Sequence, residues 1–167
     1  MYVHLRTHTE FSVTDSTIRI EDVVKAAAAD GQGALAITDL SNLFGTVKFY
    51  KEARGKGIKP IIGAEVFLEG LGADVANLSR VVLLVQSTQG YLNLSELLAR
   101  AYTQNSVKGQ AVVKLAWLTG LSDGLIALSG AQAGPVGQAL VQGDLARARE
   151  AALQRSEERR VGKECRP

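Results

Sequence analysis

The chain has 167 residues, 46% of them hydrophobic and 22% charged, with a formal net charge of only +2; that balance suits one soluble globular domain with a sizeable core. No long basic run precedes residue 156 and rings make up 5% of the chain, so composition gives no footprint for a strong nucleic-acid binder. The single cysteine, Cys165, excludes an internal disulfide, the opening Met1–Arg6 lacks the apolar core of a signal peptide, and no run approaches the about 18 apolar residues of a membrane span, so the expected setting is the cytoplasm, with no membrane partner.

In chain order, Tyr2–Leu5 is a short β-prone run leading into a polar loop, Arg6–Asp15. Ile20, Val23, Val24 and Ala27 recur at helical spacing and Gly31 supplies the stop. Residues 33–38 predict a short buried strand ending at Asp39, and residues 43–54 a helix with Val47, Tyr50 and Ala53 on one face. A third strand is predicted over 58–68, kinked by Pro60 and Gly63, followed by a loop over 69–78. Arg80–Val85 is a strongly apolar fourth strand. Tyr91, Leu94, Leu97, Leu98 and Ala101 then form a helical stripe after a Ser87 or Thr88 cap. A short helix around 115–118, a fifth strand over 125–128, and helices around 136–141 and 145–154 complete the pattern. Alternating strands and helices imply an α/β fold with a largely parallel sheet. The countable strands are too few for a closed eight-stranded barrel. The segment 156–167 changes composition abruptly and is expected to be a disordered, dispensable tail.

In such a sheet, sites form where loops converge at the carboxyl ends of strands. His8 and Asp15 lie in the loop after the first strand, Asp39 ends the second, and Glu65 follows Gly63 in the third. Carboxylates and imidazoles gathered at one sheet edge are the usual material for binding Zn²⁺ or Mn²⁺. Taken singly, each has a plainer role: Asp39 as a helix N-cap, His8 as a hydrogen-bonded structural residue, Glu65 as a solvent-facing strand residue.

The run Val3-His4-Leu5-Arg6-Thr7-His8-Thr9-Glu10-Phe11-Ser12 resembles the opening of the PHP (polymerase and histidinol phosphatase) domain in the alpha subunits of bacterial DNA polymerase III. In order, residues 20–24, the run Ala36-Ile37-Thr38-Asp39-Leu40-Ser41-Asn42-Leu43-Phe44-Gly45, residues 48–50 and 57–65, Gly90–Leu94, Gly124–Gly130 and Gly143-Asp144 are similar to the same domain. The likeness covers residues 1–155 and implies a PHP-type (β/α) barrel-like fold, here truncated. Family members with an intact site hold up to three metal ions on histidines, carboxylates and a cysteine, and hydrolyse phosphoesters with metal-activated water.

Several ligand positions depart from that pattern. The opening His-x-His reads Arg6-Thr7-His8, the Asp-His motif reads Asp39-Leu40, and the cysteine after Ser-Gly is Ala131. His8, Asp15, Asp39 and Glu65 remain. Arg6 is a permanent cation and cannot coordinate a metal; it could pair with Asp15, Asp39 or Glu65 in the position a metal would take. Leu40 and Ala131 offer no lone pair. No stoichiometric Zn²⁺ is therefore expected, and Arg6→Ala should cost roughly 2–5 kcal/mol if the cluster is buried.

The resemblance implies a parent DNA-directed DNA polymerase, a nucleotidyltransferase of DNA replication whose Mg²⁺-binding aspartates lie outside this chain. It also implies that this domain is a non-catalytic scaffold with no cofactor of its own. Its expected partners are other polymerase III subunits, notably the proofreading exonuclease, with DNA met by other parts of the parent. The alternatives are a working PHP phosphoesterase, against which Arg6, Leu40 and Ala131 speak, and a non-specific nucleic-acid module.

Overall fold

The computed structural model describes residues 2–69 and 78–161, with side chains through residue 153. Helices α1 (Ile20–Ala29), α2 (Thr46–Gly55), α3 (Thr88–Gln104), α4 (Leu115–Leu121), α5 (Pro135–Val141) and α6 (Leu145–Val161) alternate with strands β1 (Ala34–Ile37), β2 (Lys59–Glu69), β3 (Ser79–Val85), β4 (Ser106–Val107), β5 (Gln110–Lys114) and β6 (Leu125–Leu128). Almost every segment expected from periodicity is present.

Four differences have physical causes. Residues 2–5 are not a regular strand, although His4 O accepts from Ala36 N (2.9 Å) and Thr7 O from Thr38 N (2.8 Å), so the segment runs beside β1. On α2 the buried positions are Phe49 and Ala53, while Val47 and Tyr50 stand exposed; the helix starts at Thr46, not Leu43, and its stripe is set by those two residues. Strand β5 was hidden because only Ala111, Val112 and Val113 carry its apolar signal. Helix α6 continues through Val161, into the segment expected to be a tail; the rest of that segment, and most of the loop expected over 69–78, lie outside the described residues.

The sheet is mixed rather than largely parallel. β2 pairs in parallel with β1 and β5, but β2–β3, β3–β6 and β4–β5 are antiparallel. The short connection over residues 70–78 returns the chain beside β2 as β3, which a parallel partner could not do without a crossover. β2 is the long central strand. Its edge away from β3 is shared by β1 over Lys59–Ile62 and by β5 over Phe67–Glu69. It is continuous, with Pro60 tolerated at its start. Gly63 fits because a Cβ there would lie 2.5 Å from the Leu83 carbonyl oxygen.

Alternation along β2 and β3 separates two faces. Ala64, Val66, Leu68, Val81 and Leu83 pack with Leu94, Leu97, Leu98 and Ala101 of α3. Residues 65, 67, 80 and 82 share the opposite face, where Val82 joins a small cluster with Ala36 and Leu84. α1 and α2 cover β1 through Ile20, Val24, Leu35, Ile37, Phe49 and Ile58. Gly31, at φ 69°, ends α1 in the left-handed region as expected. Among the described residues no helix is long and apolar enough to cross a membrane.

Candidate functional site: a carboxylate held by two arginines

Glu65 lies at the centre of the site. Beyond β1 the chain stays beside β2: Glu65 N donates to Asp39 O (3.1 Å), Ser41 N donates to Glu65 O (2.7 Å), and Leu40 bridges to Glu65. This pairing fixes the Glu65 backbone and points a wholly buried side chain at the loop after residue 5.

Arg6 meets it with a planar fork: Nε donates to Oε1 at 3.1 Å and an Nη to Oε2 at 3.0 Å. His8 Nε2 lies 2.6 Å from Oε2. Its Nδ1 lies 3.5 Å from Asp15 Oδ2. Arg80 completes the group from β3: its Nη1 donates to Asp15 Oδ2 at 2.9 Å and stands 3.9 Å from Glu65 Oε2. Arg80 can reach because it pairs with Phe67 across the β2–β3 ladder, on the same face as Glu65, and its guanidinium lies over the Phe67 ring at 5.0 Å.

Burial alone would raise the Glu65 pKa. The His8 imidazole and the Arg6 guanidinium outweigh that and hold the carboxyl at about 2. Glu65 is therefore a carboxylate at neutral pH.

Asp39 stands apart from this group. It is 2% exposed, and its oxygens accept from Thr9 N (2.6 Å), Thr9 Oγ1 (2.8 Å) and Ser12 Oγ (2.7 Å). Of the three carboxylates offered to Arg6 by the sequence, only Glu65 is its partner; Asp15 goes to Arg80, and Asp39 pins the loop. Leu40 is half-buried, and its N–H donates to Ser12 Oγ at 2.9 Å. Ala131 is exposed and opens a 3₁₀ turn (Ala131–Ala133) at φ 47°. Its neighbour Gly130 packs so closely on the Arg80 carbonyl that a side chain there would collide with it. Sequence reasoning missed Arg80, which reads as the first residue of an apolar strand; its pairing with Asp15 spans 65 positions and leaves no local signal.

A divalent cation needs several free lone pairs converging on one point. Glu65 and Asp15 direct theirs at guanidinium groups, and the Asp39 oxygens face three donors from residues 9–12. Among the described residues no group of three or more His, Cys, Asp or Glu is arranged to hold a metal ion. The residues present do not fit the metal centre of an intact phosphoesterase.

A family model described as PHP domain matches residues 4–158. The chain belongs to the PHP domain family. Over 147 residues this PHP domain is 44% identical to the DNA polymerase III subunit alpha of Pseudomonas aeruginosa, a match covering 88% of the chain and 12% of that protein. The corresponding figures for Escherichia coli K12 are 42% over 147 residues, 87% and 12%, and for Neisseria meningitidis serogroup B 45% over 154 residues, 91% and 13%. The chain spans 12–13% of the length of these curated relatives. Among solved structures, an amidohydrolase from Chromobacterium violaceum with bound sulfate and no metal is 22% identical. The match covers 59% of this chain and 32% of that one at a TM-score of 0.45, and adds nothing to the assignment. The α/β arrangement is thus that of the N-terminal part of a PHP-type fold, with homology to the N-terminus of DNA polymerase III alpha subunits.

Because the Arg6 side chain is 54% exposed and Glu65 keeps His8 and Arg80, the cost of losing it is smaller than for a fully buried pair. Arg6→Ala should lower stability by about 1–2 kcal/mol, read from urea unfolding at neutral pH. A change within about 0.5 kcal/mol would show that solvent replaces the guanidinium without penalty.

Proposed function

We propose that this PHP domain serves as a non-catalytic scaffold at the N-terminus of a DNA polymerase III alpha subunit, where it supports the polymerase and docks the proofreading exonuclease subunit. The observation that carries the reading is the fork of Arg6 onto Glu65. A cation built into the chain takes the position of an exchangeable one, so the loop and sheet stay joined while no metal-activated water is generated. The parent chain extends DNA in the cytoplasm by nucleotidyl transfer, with Mg²⁺ held on aspartates outside residues 1–167, and meets DNA there.

Two measurements test the two halves. With Mn²⁺ or Zn²⁺ added, the chain should release no phosphate or nitrophenol above blank from p-nitrophenyl phosphate, and no nucleotide from a 3′-mismatched primer. Metal-dependent turnover abolished by Glu65→Gln would instead establish a working phosphoesterase. Titration of the exonuclease subunit into the chain, followed calorimetrically, should give a saturable complex; its absence would remove the docking role and leave the catalytic question untouched.

A further inference from the structure

We draw no further inference here: the strongest candidate, the open cleft between the loop over residues 4–18, helix α1 and the start of β1, shares Arg6, His8 and Asp15 with the site already described, and nothing in the structure shows what covers the rest of it.

Discussion

Asp39→Ala should lower the unfolding free energy by about 3–5 kcal/mol. The carboxylate is almost wholly buried and accepts three hydrogen bonds of 2.6–2.8 Å, one from a backbone N–H and two from hydroxyls. Hydrogen bonds to an ionised acceptor contribute roughly 1.5–3 kcal/mol each, and a buried donor left unpaired carries its own desolvation cost. The three bonds share one acceptor group and do not add fully. The network extends further: Ser12 Oγ also accepts from Leu40 N, and Thr9 Oγ1 from Phe11 N, so the whole turn over residues 9–12 hangs on one side chain. Asp39→Asn keeps the shape but turns one acceptor into a donor facing donors, and about 2 kcal/mol is the expected loss. Urea unfolding of both variants at pH 7 measures this. A loss below about 1 kcal/mol for Asp39→Ala would show that the turn holds without its carboxylate.

The helix N-cap that the sequence suggested for Asp39 is not what the structure shows: α2 is capped by Gly45 without a side-chain bond, and the Asp39 oxygens accept from Thr9 and Ser12. An aspartate ending a strand reads as a ligand or a helix N-cap, and only the fold shows that Thr9 and Ser12, some 30 positions earlier, supply its partners. Periodicity exposed α1, α3 and the central strands because their apolar residues repeat over several turns or run unbroken. It failed where the signal was short or shared. Residues 2–5 look like a strand but lack a full ladder, and β5 carries three apolar residues between polar ends. On α2, Val47 and Phe49 competed to define the face, and Phe49 won because its ring fills the space among Ile20, Ile37 and Ala53. The apolar run of β3 does not give its direction, since an unbroken strand buried on both faces looks the same in either sense; only the short connection after β2 carried that signal, and the expectation of a largely parallel sheet passed over it. That direction is what brings Arg80 to Asp15, so the second guanidinium of the site was lost with it.

Glu65→Gln should cost about 2–3 kcal/mol at pH 7, and the difference from the native chain should vanish in acid. Burial raises the Glu65 pKa, but His8 and Arg6 more than reverse that, taking it from 4.5 to about 2. A shift of that size corresponds to at most about 3–4 kcal/mol, reduced somewhat because Arg6 is half-exposed and partly screened. The folded pKa is depressed, so the unfolded chain binds the proton first as pH falls. The stabilisation is complete above about pH 4.5, declines between there and pH 2, and is gone below. Glutamine has no proton to take up in this range, so whatever pH dependence its variant shows comes from other groups. The gap between native chain and variant should therefore be flat from pH 7 to 5 and close progressively from pH 4.5 towards 2. Urea unfolding at intervals of half a pH unit reads it directly. A gap that stays constant down to pH 2 would mean that Arg6 and His8 do not hold Glu65 as a carboxylate, and the built-in cation would lose its claim to the metal's place.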